Sequence, residues 1–138
     1  MKKEDFVAAL NEDLSSEFQS IVQYVQHIAT VSGPEFQSIA DELKIHLAQE
    51  LTHAQILAEQ VAFLGGVPTV AVSAASTETD TRSALKLDLE LEERQLERYR
   101  VRTEQALELG LPDVGENLRP LLSQTQEHVR DLRAALGG

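Results

Sequence analysis

Four stretches of this chain repeat their apolar residues at intervals of seven. That spacing fits long helices packed side by side and little else. The first runs from about Glu4 to Thr30, with Val7, Leu14, Ile21 and Ile28 in one series and Leu10, Glu17 and Tyr24 in the other. The second runs from about Glu35 to Leu64, with Phe36, Leu43, Glu50, Leu57 and Leu64 beside Ile39, His46, His53 and Gln60. The third, from about Asp80 to Leu109, carries Leu85, Glu92, Tyr99 and Ala106 beside Leu89, Leu96 and Thr103. The fourth begins near Asp113 and aligns Val114, Leu121, His128 and Ala135 with Leu118, Thr125 and Leu132. The expectation is an all-α four-helix bundle formed by one domain over residues 1–138.

The punctuation agrees. Ser32-Gly33-Pro34 breaks the first helix, and Gly65-Gly66 with Pro68 stops the second. Asp113 with Glu116 three residues on reads as a capping box for the fourth helix, where Pro120 predicts a kink or a late start. The segment Gly66–Thr79 has no helical period. Extended, it would reach roughly 45 Å, about the length of a helix of thirty residues. It therefore reads as a crossover that starts the third helix parallel to the second.

Several function classes are excluded at once. The chain has no cysteine, which rules out disulfides, iron–sulfur clusters and thiol nucleophiles. A net charge of -11 repels phosphates and argues against nucleic acid. No stretch approaches the roughly 20 apolar residues of a membrane span, and Lys2 to Asp5 do not open a signal peptide. A cytoplasmic location is the expectation. From Phe18 to Pro34 there is no Asp, Glu, Lys or Arg, so the outer side of helix one is expected to be covered by another subunit, with His27 in that interface. Leu51 and Ile56, off the inward seam of helix two, point to the same homodimer contact.

What the seams carry near their middle is polar: Glu17; Glu50 and His53; Glu92; Thr125 and His128. Glu50 and His53 lie three residues apart on one helix face. A buried carboxylate without compensation is strongly disfavoured, and several at one level would repel one another and take up protons. A divalent metal removes that penalty, and mixed Glu/His ligation suits iron, manganese or zinc. His46, one turn before Glu50, could add a nitrogen ligand or line a path inward, or be a core histidine bonded to a neighbour. Asp88, one turn before Glu92, reads either as an acceptor orienting a ligand imidazole or as a surface residue. Tyr99 reads as core with its hydroxyl bonded.

Glu on helix one, Glu-x-x-His on helix two, a long crossover, Glu on helix three and His on helix four resemble the ferritin-like di-metal pattern. The segments LNEDLSSEFQSIVQYVQH, ELTHAQILAEQVAFLGGVP, LDLELEERQ and QEHVRDL are similar to bacterioferritin. The resemblance implies two iron ions, with manganese or zinc as alternatives. Glu17 and Glu92 would be terminal ligands, His53 and His128 would bind one metal each, and Glu50 would bridge. Tyr24 occupies the place of a tyrosine that can supply an electron during oxygen reduction. The implied activity is oxidation of Fe(II) by O2 or peroxide, in iron binding, storage or detoxification.

Three departures qualify it. Thr125 stands where the family's second Glu-x-x-His has its Glu, so the second metal is expected to bind more weakly or to recruit Glu127, Asp131 or solvent. Leu51 replaces the haem-ligating methionine, and the one Met is Met1, so no haem is expected. The chain ends about ten residues after His128, without the short fifth helix of the bacterioferritin shell. A closed shell is therefore doubtful, while a dimer or another larger assembly stays open. Two other readings follow from Thr125: a non-redox bundle holding one structural Zn, Mn or Fe, and a metal-free interaction module.

Overall fold

In the computed structural model, which describes residues 1–137, four helices account for most of the chain. They are α1 (Lys3–Thr30), α2 (Gln37–Phe63), α3 (Thr81–Glu108) and α4 (Pro112–Ala135). The expected all-α four-helix bundle is what forms. Helix α1 packs on α2 and α3, and α4 packs on α3 and α2, leaving α1/α4 and α2/α3 as the diagonals. A 3₁₀ turn, Pro34–Phe36, precedes α2, with Pro34 in the first turn, where its missing N–H costs nothing. Helix α2 stops because Gly65 takes φ 86°, which side chains disfavour, and its N–H bonds Ala62. Gly66 is needed for space: a Cβ there would lie 2.6 Å from Val7 Cγ1.

The crossover climbs α1 from one end to the other. Asn11 donates to the Val67 carbonyl at 3.1 Å and accepts from Thr69 N–H at 2.9 Å. Ser73 N–H then bonds the Ser15 carbonyl, Ser76 N–H the Gln23 side chain, and Glu78 N–H His27 Nε2. At the top, the Thr81 hydroxyl accepts from Ser32 N–H and donates to its carbonyl. Helix α3 therefore begins beside the end of α1 and runs parallel to α2, with Asp80 capping its first turn through Ser83 N–H. This corrects one side of the reading of the uncharged α1 face, while Val22 and Val25 on its other side stay exposed. Gln19, Gln23 and His27 are buried, and the chain's own crossover bonds Gln23 and His27 where a second subunit was expected.

Two expectations at α4 change. Leu111 is its N-cap residue and Pro112 its first residue, so Asp113 lies inside the first turn and forms no capping box. Proline, with φ already helical, starts the helix two residues earlier than an Asp113 cap would. The late start at Pro120 does not occur either, since the helix already runs from Pro112 through that residue. That residue is on the exposed face, where water can satisfy the carbonyl left without its N–H partner.

The core has two apolar clusters. Phe6, Leu10, Leu57, Val61, Val114 and Leu118 belong to one, and Phe36, Ile39, Leu43, Leu85 and Leu132 to the other. Between them lies a buried polar layer. No helix among the described residues is long and apolar enough to cross a membrane.

Candidate metal centre

Each helix delivers its polar seam residues to this layer because the seams face inward at one height. Glu17, Glu50, His53, Glu92, Thr125 and His128 are all at most 1 % exposed. Two groups form, Glu17–Glu50–His53 and Glu50–Glu92–His128, and within each the ligating atoms lie within 4.8 Å of one another. Glu50 belongs to both. Its Oε1 lies 3.1 Å from His128 Nδ1, and its Oε2 lies 3.4 Å from His53 Nδ1.

The imidazoles are held in the tautomer a metal needs. His53 Nε2 donates to Gln124 Oε1 at 2.8 Å, and His128 Nε2 donates to Gln49 Oε1 at 2.6 Å. A neutral imidazole has one N–H, so each Nδ1 presents a lone pair inward. His128 Nδ1 then faces Glu50 Oε1 and Glu92 Oε2 at 3.1 and 3.0 Å, acceptors facing an acceptor. In the other group Glu17 Oε2, Glu50 Oε2 and His53 Nδ1 are buried without a hydrogen-bond partner. Only a proton or a cation between such atoms relieves them, and three carboxylates with two imidazoles suit iron, manganese or zinc.

Without a cation the layer holds protons. Burial, reinforced by the charges of Glu17 and Glu92, pushes the Glu50 carboxyl well above its usual range. Burial also opposes charge on Glu92, yet hydrogen bonds from Glu50 and His128 hold it down to about 2. Burial lowers His53 as well, but the Glu17 carboxylate outweighs it and the ring sits above its ordinary value. Tyr24 and Tyr99 are kept as neutral phenols by burial and by Glu92 and Glu17 respectively. Tyr24 donates to Glu92 at 3.2 Å, and Tyr99 donates to Glu17. The buried Tyr99 with a bonded hydroxyl is as expected, and Gln95 adds a 3.0 Å bond to the same Glu17 oxygen.

These bonds come in pairs separated by 75 residues. Asp13, Glu17 and Tyr24 on α1 correspond to Asp88, Glu92 and Tyr99 on α3, while Gln49 and His53 on α2 correspond to Gln124 and His128 on α4. Each half then bonds the other: Tyr24 to Glu92 and Tyr99 to Glu17, Gln49 to His128 and Gln124 to His53. The pattern Gln-x-x-x-His, present twice, was the signal for the two glutamines, which the seam analysis passed over. Asp13 was passed over too. It is buried and held by Arg102 through Nε at 2.6 Å and Nη2 at 2.9 Å. The break in the repeat is Thr125 opposite Glu50, its hydroxyl buried with no partner.

Other expected site residues fall elsewhere. Glu127 points to solvent, because its neighbour His128 points inward and successive residues diverge by about 100° around a helix. It cannot replace the missing bridge. Asp131 and His46 join neither group; they meet each other at 3.0 Å, with His46 stacked 4.0 Å above the His128 ring. Burial and the neighbouring His128 lower His46 from its ordinary value. Asp88 is buried and orients no ligand imidazole. It accepts from His27 Nδ1 at 2.8 Å and from Gln23 at 3.1 Å, anchoring the residues that hold the crossover. His27 is thereby an internal residue rather than an interface one.

Restoring the bridge gives opposite effects with and without metal. Thr125→Glu is expected to tighten the second metal by about tenfold or more, a change of the size that ligand-sphere substitutions produce. The same variant should melt lower than wild type when metal-free, because a fourth carboxylate enters the buried layer. Calorimetric Co²⁺ titration and melting curves with and without EDTA read both signs.

Known proteins share this fold. A Bacillus anthracis protein, its crystal structure described as that of ferritin-like, diiron-carboxylate proteins, superposes with a TM-score of 0.91 at 30 % identity, covering 99 % of each chain. A Mycobacterium leprae bacterioferritin is 30 % identical over 64 residues, which are 46 % of this chain and 40 % of that protein. The chain thus spans less than half the length of the curated relative it matches. The family model of the ferritin-like domain matches residues 7–138, nearly from end to end, and the chain belongs to that family.

Proposed function

We propose that this chain binds two iron ions between its helices and oxidises Fe(II) with O2 or peroxide, serving iron binding, storage or detoxification. The observation that carries the reading is the shared Glu50, whose two carboxylate oxygens lie beside His53 Nδ1 and His128 Nδ1, one in each ligand group. Fe(II) is the substrate. Each ion gives up one electron, and two electrons with two protons convert O2 to hydrogen peroxide. Glu17 and Glu92 would hold one ion each, and Glu50 would be shared by both. Gln49 and Gln124 keep the lone pairs aimed inward. Tyr24, bonded to Glu92, would supply the second electron when only one Fe(II) is bound, losing its phenolic proton with it.

Thr125 favours a second reading, a single structural Zn, Mn or Fe with no oxidation. One experiment separates the two. Aerobic addition of Fe(II) to the metal-free protein should give a ferric absorbance that saturates at two ions per chain. A single bound ion without absorbance overturns oxidation and supports the structural metal. Metal analysis belongs with the mass in solution, because α1 and α2 leave Val22, Val25, Ile45 and Leu51 exposed. This strip supports a homodimer; a monomer mass excludes it.

A further inference from the structure

A third group of potential ligands lies outside the two just described. Glu42, His46 and Asp131 bring one ligating atom each to within 4.8 Å of one another. Glu42 lies one turn before His46 on α2, and Asp131 approaches from α4. Both carboxylates line a surface groove of about 360 Å³ that also carries Glu35 and is open to solvent. Behind them His46 is 1 % exposed and stacks on His128.

The hydrogen bonds leave this imidazole facing the wrong partner. Tyr24 has one hydroxyl proton and donates it to Glu92. Its oxygen can then only accept from His46 Nδ1, 3.3 Å away, so the Nδ1 atom carries the proton. His46 Nε2 is left as a lone pair aimed at Asp131 Oδ2, 3.0 Å away. Two acceptors at that distance need a proton or a cation to hold them together, and Glu42 supplies a second carboxylate beside a cation.

The internal repeat gives a control. Shifted by 75 residues, Glu42, His46 and Ile56 become Asn117, Leu121 and Asp131. At the other end of the polar layer, therefore, the corresponding positions are an amide and two aliphatic residues, and Leu121 and Ile56 pack in or against the apolar core. The carboxylate–imidazole cluster, drawn from α2 and α4, is present at one end of the polar layer and has no counterpart at the other. The scaffold does not require it.

We propose that Glu42, His46 and Asp131 form a third, mononuclear site for a divalent first-row transition-metal ion, set between the solvent groove and the two-metal centre. Two carboxylates and one imidazole suit such an ion, and the half-exposed carboxylates let it exchange with water. Passage of iron from here to the centre rests on the proposed function; binding at the site does not.

Co²⁺ tests it without redox chemistry. Calorimetric titration of the Glu42→Gln/Asp131→Asn double variant should show one Co²⁺ fewer per chain than wild type. Crystals soaked in Co²⁺ should lose the anomalous peak between these residues and keep those beside Glu50. Glu50→Gln should do the reverse, keeping the peak at His46. Unchanged Co²⁺ stoichiometry in the double variant, or no peak at His46 in wild type, overturns the proposal. A peak at His46 with none beside Glu50 would leave this site standing and sink the two-metal reading instead.

Discussion

Glu50→Ala is expected to remove both metal positions at once, lowering affinity by more than about 100-fold, beyond the range for residues that merely orient ligands. The two ions of the centre should both be lost at stoichiometric concentrations, and the ferric absorbance should vanish. The reason is that Glu50 alone belongs to both ligand groups. With Thr125 in the other bridging position, nothing can take over. Equal oxidation rates in Glu50→Ala and wild type would sink the bridging role.

The same residue sets a pH dependence of the metal-free protein. Burial raises the Glu50 carboxyl well above its usual value of 4.5, so the folded state keeps a proton that the unfolded chain releases. Stability is then lost as pH rises above about 4.5, by at most about 1.4 kcal/mol per pH unit for one proton. Glu92, held at about 2, is ionised in both states across that window and adds no slope. Glu50→Gln removes the titrating group, so its metal-free stability should fall less steeply from pH 5 to 8. Parallel stability–pH curves for the two proteins would contradict this account.

Arg102→Ala should cause the largest loss of stability, about 3–5 kcal/mol, because it strands Asp13 as a buried, unpaired carboxylate. For a chain of this size that is a fall in Tm on the order of 10 °C or more. Burial already pushes the Asp13 carboxyl up even with Arg102 beside it. Arg98, 3.6 Å from Asp13 and partly exposed, covers only part of the loss. Replacing both partners, as in Asp13→Asn with Arg102→Met, should recover most of the stability, since the penalty belongs to the unpaired charge. Chemical denaturation of the three proteins checks this. A single-variant loss under about 1 kcal/mol would contradict it.

Much of the centre could be read from the chain because period and chemistry coincide there. Glu17, Glu50, His53, Glu92 and His128 each occupy an inward position of a seven-residue series, and a charged or ionisable group at such a position has no other ready use. Arg102 could not be found that way. It lies on the charge-dense side of α3, and only the approach of α1 decides that this one guanidinium is buried while Arg100 is solvated. The uncharged face of α1 was legible as a covered face. Its pattern does not say what lies against it: the chain's own crossover meets Gln23 and His27, while Val22 and Val25 stay exposed.

Four inward helices, a crossover that makes α3 parallel to α2, and a polar group at the middle of each seam were thus determined by the sequence alone. Periodicity, segment length and residue chemistry suffice for each. Which partner each polar group meets was decided only in three dimensions. Gln49 with His128, Gln124 with His53, Asp88 with His27 and Asp131 with His46 are separated by between 61 and 85 residues. Hydrogen bonds are short-ranged and directional, and only the packing of one helix against another fixes which pairs come within reach.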